Sequence, residues 1–178
     1  MNLIMGEVSL RYVVPGDATL ILRLRAGAVA RQTLSAGAVS LESQQQWIRA
    51  YQKREAGGRE HYFIIALRDV PVGAVRIYAI ESAVGTFTWG SWVIQEGTAP
   101  VVAWISAVMV YDFAFSQLGL QRAAFEVAAS NHNVIRFHQN FGATIEKMQG
   151  GLVSFALPKA HYFGIRKKFL QRISRSSV

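Results

Sequence analysis

FEVAASN, at Phe125–Asn131, is followed almost at once by NVIRFHQNFGA, at Asn133–Ala143, and these two segments give the clearest structural pattern in the chain. In the first segment a glutamate lies between apolar residues, which predicts a short strand over Ala123–Ala128. In the second, apolar residues recur at helical spacing, which predicts a helix. Asn131, or the serine before it, is a suitable N-cap for that helix, and Gly142 ends it.

Upstream of this stretch, residues Pro100 to Leu118 predict one long buried helix that ends at Gly119. Proline is tolerated in the first turn of a helix. The loop before it contains Gly97, Thr98 and Ala99. A helix N-terminus offers free N–H groups to a phosphate, but an ordinary strand-to-helix turn also uses small residues.

The remaining segments predict a sheet. A meander of three strands precedes the long helix, one further strand and two helices lie near the N-terminus, and two strands follow Gly142. Residues Gly27 to Gly37 fit either a loop or a broken helix. The predicted order is strand Val8–Val14, helix Ala18–Arg25 capped by Asp17, a helix from Ser40 to about Lys53, strands His61–Leu67, Pro71–Ile80 and Thr86–Ile94, and, after Gly142, strands Ala143–Met148 and Leu152–Leu157. This order predicts a single α/β domain over residues 1–178, with helices flanking a mixed, mostly antiparallel sheet.

Composition narrows the class of protein. The 178-residue chain is 51% hydrophobic and 17% charged, which excludes an intrinsically disordered protein. It has no cysteine, which excludes disulfides, cysteine-type zinc sites and a cysteine nucleophile, and we expect no metal. No segment reaches the ~18 apolar residues of a membrane span, and no signal peptide is visible. A cytoplasmic protein is therefore expected.

The net charge of +8 favours polyanionic partners such as nucleic acids, anionic membranes or phosphorylated small molecules. Part of this charge lies in a basic C-terminal segment that begins at about His161. No nucleic-acid-binding motif accompanies that segment, so we expect a solvated surface helix and no nucleic-acid partner.

The quoted stretch resembles the GNAT N-acetyltransferase superfamily. Its usual pattern has an Asn at the end of a strand, an aromatic residue that can donate a proton seven positions later, and a Gly four positions after that. This chain has Asn131, His138 and Gly142 at these positions. VYDFAFSQLGLQR, Val110–Arg122, is also similar to the end of the family's long helix and the strand after it. The resemblance runs from about residue 8 to about residue 157. It implies a central sheet splayed at the fourth and fifth strands, and an acetyl-CoA-dependent N-acetyltransferase.

The resemblance also implies a cofactor site. The backbone of Val93 and Ile94 would bind the pantetheine arm and stabilise the oxyanion, and Asn131 would contact the cofactor or hold the cleft open. The family's pyrophosphate loop has an Arg or Gln followed by two glycines separated by one residue. Ala99 and Val101 stand at the two glycine positions here, and Gln95 and Gly97 come slightly too early in the chain to match the pattern. The predicted cofactor-binding set is Val93, Ile94, Ala99, Val101, Val102, Ala103 and Asn131.

Two residues are candidates for proton transfer. His138 stands where the family keeps a Tyr proton donor, so it would assist departure of the thiolate. A half-buried helix histidine is the alternative. Glu126 is a candidate base, although a solvent-facing side chain explains it as well. His61, Glu81 and a water relay without one essential base remain open.

Within the superfamily, the chain resembles the branch that includes the ribosomal-protein alanine acetyltransferases, and most of all enzymes that acetylate amino groups of nucleotide-linked sugars. The cues are Leu24-Arg25, Gln44–Ile48 and WGSW at Trp89–Trp92. Guanidinium groups suit a diphosphate and aromatic rings suit a sugar or base. Because alternation would place the two tryptophans on opposite faces, at most one should face the acceptor, and Trp92 is preferred because it is nearer the splayed end of the strand. The predicted acceptor-binding residues are Arg25, Arg76, Tyr78 and Trp92.

The sequence is also compatible with other functions. A peptide N-terminus is the second acceptor class, although a peptide groove would favour acidic residues and this chain has few. A CoA- or RNA-binding module is the non-enzymatic alternative. A homodimer is possible.

Overall fold

The fold is built on one eight-stranded sheet, seen in a computed structural model that describes residues 2–27 and 39–175. The strands lie in the order β1-β2-β3-β4-β5-β6-β8-β7. Their bounds are β1 (Asn2–Met5), β2 (Val8–Tyr12), β3 (His61–Leu67), β4 (Val70–Glu81), β5 (Thr86–Ile94), β6 (Arg122–Ala128), β7 (Thr144–Gln149) and β8 (Leu152–Pro158). Every neighbouring pair is antiparallel except β5 and β6.

Five α-helices in the described ranges flank this sheet. They are α1 (Ala18–Ala26), α2 (Leu41–Ala56), α3 (Val101–Asp112), α4 (His132–Asn140) and α5 (Lys159–Arg175). One face of the sheet, here the α3 face, packs on α3, α4 and α5 and includes Phe63 and Phe155. The other, the α1 face, packs on α1 and α2 around Ile48 and Ile64. The predicted α/β architecture is thus confirmed.

Strands β5 and β6 diverge soon after they begin. Their parallel pairing joins only Thr86 to Arg122 and Phe87 to Ala123. Beyond Phe87, β5 pairs with β4 alone, and β6 pairs with β8 over its whole length. The predicted splay between the fourth and fifth strands is found here. Because β1 is an additional strand at the start of the chain, the splayed strands are numbered β5 and β6.

A bulge in β5 overturns one prediction. Gly90 pairs with Arg76 but Val93 pairs with Ala74, so an extra residue is inserted between them. Ser91 takes a left-handed φ of 47° at this point. The added residue brings Trp89 and Trp92 to the same face, with their ring centroids 5.3 Å apart. The prediction that strand alternation separates the two tryptophans is therefore wrong.

Several predicted boundaries also change. The hairpin strand β1 was not expected, and the long helix gives way at Phe113–Gln117 to a π-helical turn. Asp17 does not cap α1 with its side chain, because its carboxylate binds Arg11 and the Val14 N–H. Most of the segment predicted as a loop or broken helix lies outside the described residues.

The C-terminal basic segment is more than a solvated helix. In α5, Tyr162 is fully buried and donates a hydrogen bond to Asp112 Oδ1 at 2.8 Å. Arg166 pairs with the same carboxylate, and Phe169 stacks on Phe141. The helix therefore docks on α3 and α4 through one face. No helix within residues 2–27 and 39–175 is long and apolar enough to span a membrane.

Candidate active site

A cleft of about 160 Å³ lies where β5 and β6 diverge. Because the gap passes through the sheet, it is reached by side chains of both faces. We call it the splay cleft. It is lined by Trp89, Gly90, Ser91, Trp92, Phe125, Glu126, Val127, Ala128, Asn131, Val134 and His138. Of the sequence-predicted residues it brings together His138, Glu126, Asn131 and Trp92.

His138 is the buried titratable group of the splay cleft. Its side chain packs against Phe125 at a ring-centroid distance of 4.3 Å and against Trp89 at 5.3 Å. This burial lowers the pKa of His138 to about 3, because the apolar surroundings penalise the charged imidazolium. Nδ1 is buried and has no hydrogen-bond partner in the described part of the chain. The imidazole is therefore neutral near pH 7 and can act through one N–H or one lone pair.

Asn131 joins the end of β6 to the start of α4. Its Oδ1 accepts a hydrogen bond from the Val134 N–H at 3.3 Å, which confirms the predicted N-cap. No residue in the described ranges accepts a hydrogen bond from its Nδ2, so that donor remains available at the rim of the splay cleft.

Glu126 lies on the α1 face of β6, opposite to the buried Phe125 that touches His138. Its side chain is exposed and accepts a hydrogen bond from Ser154 Oγ at 3.2 Å. The two predicted proton-transfer residues thus stand on different faces of the sheet at the same gap. His61 is buried beside Tyr12 and Phe113, away from the cleft.

The end of β5 supplies an unpaired strand edge. The Gln95 N–H donates to the Val72 carbonyl at 2.7 Å, and hydrogen-bonded pairs alternate along an antiparallel ladder. The peptide groups of Val93, opposite Ala74, therefore face β4. Those of Ile94 face the open edge beside the splay. Ile94 rather than Val93 therefore presents its backbone groups to this open edge.

The start of α3 offers fewer N–H groups than the sequence suggested. Those of Val102 and Ala103 donate to the Ala99 and Pro100 carbonyls at 3.0 and 3.2 Å, and proline has no N–H. The N–H groups of Ala99 and Val101 donate to no other backbone group in the described ranges. Of the N–H groups predicted to face a phosphate at this helix start, those of Ala99 and Val101 therefore remain without a backbone acceptor in the described ranges.

Helix α5 forms a wall beside that helix start. A cavity of about 350 Å³ is lined by Ala99, Pro100, Val101, Trp104, Phe169, Arg172 and Ile173. The Arg172 guanidinium carbon lies 4.7 Å from the centroid of the Trp104 ring. A cation next to a helix N-terminus suits an anionic group such as a phosphate.

A second pocket opens on the α1 face, with a volume of about 230 Å³. We call it the arginine pocket. Two predicted acceptor residues, Arg25 and Arg76, meet in it although they lie on α1 and β4. It is lined by Arg25, Val39, Ser43, Gln44, Trp47, Tyr62, Arg76 and Ser91. Ser91 lines both the arginine pocket and the splay cleft, so the two sites adjoin.

The four predicted acceptor residues separate into two groups. The Arg76 guanidinium carbon lies 4.5 Å from the centroid of the Tyr78 ring, which confirms that the two share a face. Trp92 is elsewhere: it packs on Phe137 at 4.8 Å on the α3 face. Its Nε1 donates to Ser106 Oγ at 3.3 Å. Trp92 therefore lines the splay cleft and not the arginine pocket.

Sequence reasoning did not assign Trp47, Ser91 or Glu60 to a site. Trp47 and Gln44 belong to Gln44–Ile48, a segment that carries a resemblance to the family but no predicted role for either side chain. Gly90 was the available signal for the bulge, since a glycine inside a strand often marks one. No local pattern points to Glu60.

Comparison with known proteins gives a consistent result. Residues 7–144 match the family model described as "Acetyltransferase (GNAT) domain". The apo structure of FdhC, described as a nucleotide-linked sugar GNAT, is 32% identical with a TM-score of 0.86, over 96% of this chain and 97% of that one. A spermidine N-acetyltransferase from Vibrio cholerae, in complex with CoA and spermine, is 16% identical with a TM-score of 0.76, over 89% and 99%.

No curated protein matches the sequence significantly. The family model nevertheless spans most of the chain, and it includes both β5 and the splay. The fold, the splayed strands and the cap at Asn131 agree with that match. The chain belongs to the GNAT family and is an acetyl-transferring enzyme.

Proposed function

We propose that the enzyme transfers the acetyl group of acetyl-CoA to the primary amine of a nucleotide-linked amino sugar. The observation that carries this proposal is the arginine pocket, in which Arg25 and Arg76 line one cavity. Guanidinium groups form paired, charge-assisted hydrogen bonds with phosphate oxygens. The pocket meets the splay cleft at Ser91, so an acceptor held by its diphosphate would extend its amine toward the gap.

The cofactor side of the site fits acetyl-CoA, which supplies a thioester that an amine attacks. The open edge of β5 at Ile94 would hold the pantetheine arm by strand-like hydrogen bonds. The N–H groups of Ala99 and Val101 would face the pyrophosphate, and Arg172 would neutralise part of its charge. Asn131 would donate from Nδ2 at the rim of the cleft.

The catalytic groups follow from this placement. His138 lines the cleft, is neutral, and has a buried Nδ1 without a hydrogen-bond partner in the described residues, so we assign it a hydrogen bond that stabilises negative charge as the thiolate leaves. A cationic acid is not available there, since its pKa lies well below neutrality. Glu126, on the acceptor side of the gap, would accept the amine proton directly or through water.

The charge of the arginine pocket separates the acceptor classes. A polyamine carries several positive charges and would be repelled by Arg25 and Arg76. A peptide N-terminus would be expected to favour acidic residues, and none lines the described pocket. A diphosphate has the opposite charge. The 32% identical structure described as a nucleotide-linked sugar GNAT supports the same acceptor class.

The test is a panel assay of thiol release from acetyl-CoA. The acceptors are nucleotide-linked amino sugars, the same sugars without the nucleotide, spermidine, and peptides with free N-termini. We expect turnover of at least one nucleotide-linked amino sugar and much slower turnover of the other classes. Preferred turnover of spermidine or a peptide would contradict the proposal.

A further inference from the structure

Glu60 is a buried carboxylate at the edge of the arginine pocket. The residue is only 4% exposed and immediately precedes β3. Its Oε2 accepts a hydrogen bond from Arg54 Nε at 2.6 Å, and its Oε1 lies 2.5 Å from Arg76 Nε. One carboxylate thus stands between two guanidinium groups, one from α2 and one from β4.

The contact with Arg76 is an ion pair without the alignment of a hydrogen bond. Two aromatic rings complete the enclosure of this guanidinium: its carbon lies 5.2 Å from the Trp47 ring centroid and 4.5 Å from that of Tyr78. Glu60 faces the Nε of Arg76, so the two terminal nitrogens are left. Within residues 2–27 and 39–175, no carboxylate or carbonyl accepts a hydrogen bond from them.

The charge balance is uneven. One carboxylate faces two guanidiniums, which leaves a local charge of +1 before Arg25 is counted. Arg54 does not line the pocket, whereas Arg76 does. An arrangement that only neutralised Glu60 would need one arginine. The second arginine is held at Nε by the carboxylate, lines the cavity, and keeps terminal N–H donors that no carboxylate or carbonyl in the described ranges accepts.

We infer that Glu60 is a positioning residue, which holds Arg76 in the orientation that binds the acceptor's diphosphate. The inference rests on the proposed function. Glu60 itself touches no substrate, since it is buried behind Arg76. It acts by holding the Arg76 side chain in place before the acceptor binds, so that less conformational entropy is lost on binding.

The test compares Glu60→Gln, Glu60→Asp and Arg54→Gln. Arg54→Gln is the matched control, because it breaks the other ion pair of the same carboxylate and a contact with the same Trp47 ring. Loss of one charge-assisted contact corresponds to about a tenfold change. We expect Glu60→Gln to raise the KM for the nucleotide-linked amino sugar about tenfold, Glu60→Asp to raise it less, and Arg54→Gln to leave it within about twofold.

A structural role would give a different result. The KM for acetyl-CoA, the kcat and the turnover of the nucleotide-free amino sugar should stay unchanged in Glu60→Gln. An equal loss for both acceptors, an equal loss in Arg54→Gln, or no change in either Glu60 variant would overturn the inference. Thermal melting of each variant accompanies the kinetics, and Glu60→Asp, which keeps the charge, serves if Glu60→Gln does not fold.

A binding experiment separates this inference from the proposed function. If the parent enzyme acetylates no nucleotide-linked amino sugar, the proposed function fails. Calorimetry with UDP, TDP, GDP and ADP as probes then still tests Glu60. For a diphosphate that the parent binds, binding that weakens about tenfold in Glu60→Gln supports the positioning role. Equal affinity in parent and variant, or binding of none of these diphosphates by the parent, contradicts it.

Discussion

The arginine pocket and the splay cleft share Ser91 but differ in the charge and burial of their main polar side chains. The pocket concentrates charge: Arg25 and Arg76 line it, and the buried Glu60 contacts Arg76. The cleft instead buries a neutral group: His138 is enclosed by aromatic rings, and burial lowers its pKa to about 3. A site that binds a charged acceptor needs fixed ions, whereas a site that stabilises a reacting thioester needs excluded water and few, well-placed polar atoms.

This difference makes the two regions separable by mutation. Changes in the pocket should act on the KM for the acceptor, because its charges contact groups remote from the reacting atoms. Changes in the cleft should act on kcat or on the cofactor.

His138→Phe should lower kcat about 100-fold, the size of effect expected when a proton-transfer or hydrogen-bonding group is removed. The KM for acetyl-CoA should change little, because the ring's packing is retained. His138→Tyr should keep more activity than His138→Phe, since it restores a donor of similar reach. Steady-state kinetics with thiol detection give both values.

The matched control is His132→Gln, which changes the exposed histidine at the start of the same helix and should leave kcat unchanged. If the Phe and Tyr variants of His138 both turn over like the parent, His138 is a packing residue. Melting curves show whether each variant is folded.

The burial of His138 should also appear in the pH dependence of stability. Its folded pKa is about 3 and the unfolded value is about 6.5, so the unfolded chain takes up a proton first as the pH falls. The unfolding free energy associated with the neutral, buried His138 is therefore fully present above pH 6.5 and is lost as the pH falls toward 3. Between pH 6.5 and 5 the parent should lose about 2 kcal/mol more unfolding free energy than His138→Phe. Denaturant titrations at each pH measure the unfolding free energy of both proteins, and an equal loss in the parent and in His138→Phe would contradict this prediction.

Asn131→Ala should reduce the unfolding free energy by about 1 kcal/mol, because the Val134 N–H loses its acceptor. The KM for acetyl-CoA should rise if Nδ2 also contacts the cofactor. Asn131→Asp keeps the cap but removes the donor, so it should restore stability without restoring the KM. If neither quantity changes in Asn131→Ala, the residue has neither role.

The smallest effect concerns Ser91, which joins the two regions. Its left-handed φ of 47° is costly for any residue with a Cβ. Ser91→Gly should therefore raise the unfolding free energy by about 0.5 kcal/mol after the entropy cost of glycine is included. Ser91→Ala keeps the Cβ and should give no gain. Equal stabilities of the Gly and Ala variants would show that the bulge is unstrained.

Local patterns were sufficient for most of the fold. Strands His61–Leu67 and Thr86–Ile94 have the predicted bounds, because β-branched and aromatic runs ended by turn residues define a strand within its own sequence. The predicted helix start at Ser40 is likewise confirmed, because the Ser40 Oγ caps the helix by accepting a hydrogen bond from the Ser43 N–H. The edge strand β1 was missed because four residues before a glycine turn carry little periodicity.

The site was less predictable, because its geometry depends on distant partners. The family pattern placed His138 and Asn131 at the cleft. It did not place Trp92, since one inserted residue in β5 reverses which face a side chain occupies. Glu60 depends on Arg54 and Arg76, which lie on two other elements. A contact made across three segments leaves no pattern in any of them.

The most direct test of the account is the ratio of kcat/KM for a nucleotide-linked amino sugar to that for the same sugar without its nucleotide. It is measured in the parent and in Arg25→Gln/Arg76→Gln. With two arginines on the diphosphate, each contact worth about tenfold or more, the parent should prefer the nucleotide-linked acceptor by about 100-fold or more. The double variant should lose most of that preference while its turnover of the free sugar is unchanged. A parent that shows no preference, or a double variant that retains the full preference, would contradict the account.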